Sequence, residues 1–339
     1  MANGGFIGKR LVPNVASAKG VWNVNELYNA RLDGLWPATV VEIVTDFLII
    51  AGGGGGHQST AMPGGGAGGY LNSYGSEPSG GNSASLNAMS IGMLNTYAVT
   101  IGAGGSPTNN GSNTTFSGTA SDLSSISYTA IGGGAGKASN NGGNGGSGGA
   151  GGYGTADARY PANGGSGTSN QGFDGGKSGA QPNAGWVFCT AFGGSYCNAA
   201  KWAGGGGGGA GGVGGSVDTG VATETMVQLD SAAGGAGLAS LITGTSVTRA
   251  AGGSGYGTGA NNYAAMPAGS GPSSNGGGGR GGNQGNTNVG GDGIIILRYP
   301  NVFSLTNPGG GLTISTATDG NAKVSSITAG SGNIQFGVA

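Results

Sequence analysis

The chain has 339 residues; 86 are glycine, about a quarter, and only 7% are charged. A formal net charge of −1 argues against an electrostatic nucleic-acid binder, which needs a basic surface to neutralise phosphates. No run reaches the ~20 apolar residues of a membrane-spanning helix. The opening MANGGFIGKRLVPN lacks the apolar centre of a secretory leader, so the expectation is synthesis in the cytoplasm, without Sec-type export or membrane insertion.

Taken in chain order, residues 1–39 differ in composition from the rest of the chain. The segment KGVWNVNELYNARLDGLWP carries Trp22, Leu27, Tyr28 and Trp36. Asn23 with Glu26 three positions later reads as a helix N-cap pair, and Pro37 as a stop. That predicts a small helical segment near Asn23–Arg31. VVEIVTDFLIIA (40–51) reads as a strand feeding the first glycine run. Further strands are expected at 96–102, 126–132 and 293–299. The tail, 301–339, reads as a small antiparallel sheet from 312–316, 323–328 and 333–338, with Asp319-Gly320 as a turn. The chain thus divides into three regions: 1–39, a glycine-rich domain at 40–300, and 301–339.

The glycine runs hold a period of three. In GGNGGSGGAGGYG (142–154) every residue except Asn144, Ser147, Ala150 and Tyr153 is glycine. Ala51, Gly54 and His57 keep the same spacing, as do Ala210, Val213 and Ser216. A polyproline-II-like backbone has three residues per turn and no internal hydrogen bonds. It would align the exceptions on one edge and leave two edges bare. Bare edges let backbones approach and bond sideways, which must offset the conformational entropy that glycine loses on ordering. A flexible linker is the plain alternative for such runs. Collagen needs an unbroken proline-rich repeat, against 11 prolines and interrupted runs here. The expected fold class is therefore mainly β and irregular: stacked polyglycine-II helices plus short β-strands and a small N-terminal helical segment.

Little here points to catalysis. Glycine abundance makes G-x-G-x-x-G matches uninformative, and none opens a helix in a βαβ unit. Gly176-Lys177-Ser178 ends like a phosphate loop, but Gln171 stands where the loop should begin. The single histidine, His57, reads as a loop or edge residue. Histidine and cysteine form no metal-ligand spacing, and the acids form no catalytic pair. The expectation is no enzyme, no metal and no cofactor. Cys189 and Cys197 are compatible with one local disulfide or with two buried thiols. Aromatic residues concentrate in the segments between glycine runs, with Trp186, Phe188, Tyr196 and Trp202 in one and Tyr256 and Tyr263 in another. Aromatic faces give large contact area at low entropic cost, so these six are candidate receptor contacts. The bland alternative is a local hydrophobic plug.

The order of motifs adds a resemblance. DFLIIAGGGGG, GGGAGGY, YAVTIGAGG, NGSNTTF, YTAIGGG, TSNQGFDGG, AGGGGGGAGG and GGDGIIILRYP succeed one another from 46 to 300. This resembles the glycine-rich domain of virion and tail-fibre proteins of tailed bacteriophages, and GVWNVNELYNARLDGLWP resembles N-terminal segments of such proteins. The resemblance implies a virion protein: most readily a tail-fibre adhesin whose loops touch a host surface polysaccharide or outer-membrane protein. The alternative is a purely structural component, such as a capsid decoration, head fibre or tail collar protein. It also implies attachment to other virion proteins, with Trp22, Leu27, Tyr28 and Trp36 as candidate attachment residues. A homotrimer is compatible with a fibre, and a single copy with a fibre tip.

Overall fold

The computed structural model describes residues 41–57, 62–138, 140–152, 162–180, 187–189, 195–197, 202–217, 232–258, 275–279 and 288–339. Its strands are β1 (Glu42–Ile50), β2 (Tyr70–Asn72), β3 (Met89–Gly92), β4 (Thr96–Thr100), β5 (Thr114–Thr119) and β6 (Ser125–Ala130). Next come β7 (Gly179–Ala180), β8 (Val187–Cys189), β9 (Ser195–Cys197), β10 (Trp202–Ala203), β11 (Leu238–Ser240), β12 (Val247–Arg249) and β13 (Gly257–Thr258). The chain ends with β14 (Ile294–Pro300), β15 (Phe303–Thr306), β16 (Leu312–Asp319) and β17 (Ala322–Val338).

Ten of these strands form one sheet with the path β2-β1-β14-β17-β4-β5-β6. The strand β17 shapes it. Ala322 at its start faces Pro300, and Val338 at its end faces Phe303, so seventeen residues bend back to nearly where they began. Gly330, with φ of 98°, sits at the bend, in a conformation that suits glycine. On the far side β3 pairs with β1, and Ile91 bridges Ala120 just past β5. The sheet is thus nearly closed and barrel-like.

Its interior is filled by Phe47, Ile49, Tyr97, Phe116, Ile327 and Phe336, each fully buried. Tyr97 stacks on Phe116 at 5.5 Å, and Tyr299 meets Phe336 edge-on at 5.0 Å. Each such side chain contributes roughly 1.5–3 kcal/mol through burial. The opposite face of β1 and β14 is also covered: Leu48, Ile50, Ile294 and Ile296 pack with Tyr70, Ala67, Ala210 and Ile242. Burial on both faces explains why FLII and IIIL read as unbroken apolar runs.

This architecture corrects the expected fold class. The described residues form an all-β structure without an α-helix, and its frame is a pleated sheet around an apolar centre, not a helix stack with short strands appended. The physical reason is composition: the large apolar side chains cluster in strand-length segments, enough of them to close a sheet on itself. The expected helical segment near Asn23–Arg31 lies outside the described residues. The tail strands also differ from expectation. Residues 323–328 and 333–338 belong to one bent strand that pairs with β14, β16, β4 and β15. The turn between β16 and β17 is Gly320-Asn321, with Asp319 facing Ala322.

The glycine runs extend from one end of this sheet and bond sideways in rotation. Gly52 and Gly55 donate to Ser112 and Asn109 in one neighbouring run, at 3.1 and 2.9 Å. Gly53 and Gly56 donate to Gly291 and Asn288 in a second, and Gly54 and His57 to Gly66 and Pro63 in a third. Nearly every buried amide of this run is satisfied by another backbone, as burial demands. Some exceptions to glycine mark rows that face out, whereas Ala51, Ala67, Ala135, Ser147, Ala150 and Ala210 are buried within the layers. Ala103, Ser106, Asn110, Asn113, Ala233 and Ala236 are all exposed. The central run AGGGGGGA, 203–210, is buried throughout. Outer amides beside these rows are often capped by side chains: Asn144 Oδ1 accepts from Ser166 N at 2.9 Å, and Asn110 Oδ1 from Ala135 N at 2.8 Å.

Candidate functional site

Glycine runs alternate in direction, and this brings distant segments to one place. The run 51–57 leaves β1, and 62–69 returns antiparallel to it into β2, with His57 N donating to Pro63 O at 3.1 Å. The same alternation continues to the last run, 288–293, which re-enters β14. At the end away from the sheet, residues flanking the segments between glycine runs, some of them aromatic-bearing, bond to one another. Tyr256 N donates to Met62 O at 2.8 Å, and Gly204 N to Tyr256 O at 3.1 Å. Gly205 N donates to Gly151 O, Ser178 N to Ala162 O, Val217 N to Lys177 O and Gly255 N to Ala232 O. The described residues that border 58–61, 153–161, 181–201 and 218–231, and those that precede 259–274, therefore share one end of the glycine layers.

A three-stranded sheet, β13-β10-β7, joins two of those segments. Trp202 stands between Ala180 on one side and Thr258 on the other. Within 181–201, β8 and β9 form an antiparallel pair in which Phe188 faces Tyr196. Cys189 stands opposite Ser195 and Cys197 opposite Val187, so the two cysteines are not register partners. Of the six aromatic candidates, Phe188 pairs with Tyr196, and Trp202 lies beside the strand that comes after the half-buried Tyr256. Trp186 and Tyr263 lie outside the described residues, as do Trp22, Leu27, Tyr28 and Trp36.

His57 belongs to the same end, where Asn288 Nδ2 donates to its carbonyl at 3.3 Å. Burial pushes its imidazole below the ordinary value, which favours the neutral form. Among the described residues, no group of three or more His, Cys, Asp or Glu side chains is placed to hold a metal ion. No helix among them is long and apolar enough to cross a membrane.

Sequence reading missed the charged groove on the sheet. A cavity of about 270 Å³ is lined by Asp46, Arg298, Tyr299, Asp319 and Asn321 among others. Arg298 Nη1 donates to Asp319 Oδ2 at 2.8 Å and to Ile242 O at 3.2 Å, and the guanidinium lies 5.6 Å from the Tyr74 ring centre. Asp46, its register partner, is raised by burial, against the lowering effects of the Ser73 hydroxyl and the Arg298 charge. These contacts tie the loop after β11 to the sheet, so the guanidinium is already engaged. The signal was present in the sequence: DFLIIA and IIILRYP each carry one charge beside a long apolar run.

A family model described as a glycine-rich domain matches residues 36–300. No curated protein and no solved structure matches the chain.

Proposed function

This chain belongs to the glycine-rich domain family over residues 36–300; from the order of its motifs, which resembles that of tailed-bacteriophage virion proteins, we propose that it is a bacteriophage virion protein, a tail-fibre adhesin. Its glycine layers act as a stiff mount, and the segments at the end away from the sheet contact the host. The partner is a surface polysaccharide or an outer-membrane protein, met by aromatic faces with amide and hydroxyl groups around them. Residues 1–39, with Trp22, Leu27, Tyr28 and Trp36, attach the chain to other virion proteins.

One observation carries this reading: backbone bonds gather, at a single end, the described residues that border several aromatic-bearing segments, with Trp202 registered between Ala180 and Thr258. Recognition residues set on loops above a fixed frame are the usual arrangement for binding proteins. The test is adsorption of particles carrying W186A, Y196A or W202A, with folding checked by thermal unfolding. Loss of adsorption by folded variants supports the adhesin. Parental adsorption by all three, together with labelling of the chain on the capsid lattice, makes it a structural component of the particle.

A further inference from the structure

Sheet margins expose unpaired N–H and C=O groups, and most proteins blunt them. This sheet covers one of its margins, caps the end of a second and keeps a third short. The outer side of β2 is covered by Gly80 N donating to Tyr70 O at 2.9 Å and Leu86 N to Asn72 O at 2.8 Å. The end of β6 is clamped by Gln171, whose Nε2 donates to Thr129 O at 3.0 Å while its Oε1 accepts from Ile131 N at 2.8 Å. The strand β15 is only four residues long, and Lys323 Nζ reaches its Phe303 carbonyl at 2.8 Å.

The fourth margin is different. The eight residues of β16, LTISTATD, pair with β17 on one side. Among the described residues no backbone group bonds to their other side. Ser315, Thr316, Ala317 and Thr318 are exposed. The strand holds no proline and no lysine, and its one charge, Asp319, is engaged by Arg298. From Ile314 onward the pairing with β17 is regular; the irregularity lies between Thr313 and Ile314. A bare, uncharged, β-branched ladder of this kind accepts an extended backbone and little else.

We propose that β16 pairs with β16 of a second copy of this chain, antiparallel, continuing the sheet across a two-fold axis. An axis normal to the sheet keeps like faces together, so residues of like parity must face each other. Centred on Thr316, the register sets Thr316 against itself, Ile314 against Thr318 and Ser315 against Ala317. No like charges oppose one another in that register, and threonine pairs across strands are favourable. Every copy carries the same ladder, so no other polypeptide is needed. One strand edge buries less than a standard interface, so the dimer is of the weak, reversible class.

The test is sedimentation velocity of the full chain over about a 100-fold range of concentration, joined to oxidative cross-linking of T316C. The parent chain serves as the blank for Cys189 and Cys197, and V289C, on the glycine layers, as the control. The expected result is a monomer that shifts to dimer mass at the high end, with T316C trapped as a covalent dimer and V289C not. A chain that stays monomeric, a trimer, or a dimer that T316C fails to trap overturns the proposal. The parent's sedimentation stands whether or not T316C folds.

Discussion

Gly54 and Gly134 meet backbone to backbone: a β-carbon built on Gly54 would overlap the carbonyl oxygen of Gly134. The first prediction rests on this contact. G54A forces two runs apart and breaks the bond from Gly54 N to Gly66 O, 2.8 Å in the parent. It should cost more than about 2 kcal/mol, as overpacking of a close-packed interior does. A233S, on an exposed row, should stay within about 0.5 kcal/mol of the parent. Thermal unfolding of both variants checks the contrast; equal stability would mean the runs are not in register.

Asparagine on the outer rows caps a neighbour's amide. N144A removes the acceptor for Ser166 N, held at 2.9 Å. Because that site is exposed, water replaces the cap, and the expected loss is only about 0.5–1 kcal/mol. Its signature is local: the Ser166 amide should exchange with solvent faster while amides of the buried run 203–210 keep their protection. A uniform rise in exchange would place Asn144 in a global role instead.

Tyr97 fixes the turn that closes the barrel. Its hydroxyl donates to Thr119 O at 2.8 Å and accepts from Gly92 N at 2.7 Å. Y97F keeps the ring stacked on Phe116 but leaves the buried Gly92 amide without a partner. A buried donor left unmade costs about 1–3 kcal/mol. Denaturant unfolding of Y97F should show that loss with an unchanged slope, since the surface exposed on unfolding is the same.

The pH dependence has two opposed parts. His57, the chain's single histidine, is lowered from 6.5 by burial. Between its folded value and 6.5 the unfolded chain binds more protons, so stability falls as pH drops through that window. Asp46 is raised above 3.8, chiefly by burial. Between 3.8 and its folded value the native chain binds more protons, so stability is gained as pH falls there. H57Q should flatten the fall in melting temperature below pH 6.5. D46N should remove the gain at lower pH and leave the upper window unchanged.

How far the sequence reveals this fold depends on how local each signal is. The strands β1 and β14 were legible because both faces of each are covered, which writes a continuous apolar run. The strand β5 was not, because Gly118 interrupts TTFSGT; its missing side chain leaves room for the Tyr97 ring. Gly330 and Gly332 made one bent strand look like two. Period three was legible as a spacing, yet the path of a run was not. Gly143 N donates to Ala135 O and Gly146 N to Gly132 O, antiparallel, whereas Gly134 N donates to Ser147 O and Lys137 N to Ala150 O, parallel. So GGNGGSGGAGG doubles back near Gly146 instead of running straight. Which runs become neighbours is decided by contacts across the whole chain. The site has the same limit: aromatic density in 181–202 was plain, but the pairing of Trp202 with Thr258 depends on segments over fifty residues apart.

Residue-resolved hydrogen exchange of the full chain tests most directly whether the glycine runs are backbones bonded sideways with a period of three, one row of amides in 233–236 and 251–254 being left unbonded. Among the described residues, the amides of Ala233, Ala236, Ala251 and Ser254 have no partner, while Gly235 and Gly252 donate to Gly207 and Gly235 at 2.8 and 2.9 Å. The predicted result is fast exchange at the first four and strong protection at the two glycines, repeating every third residue. Uniformly fast exchange through these runs, or protection alternating every second residue as in a pleated strand, would contradict it.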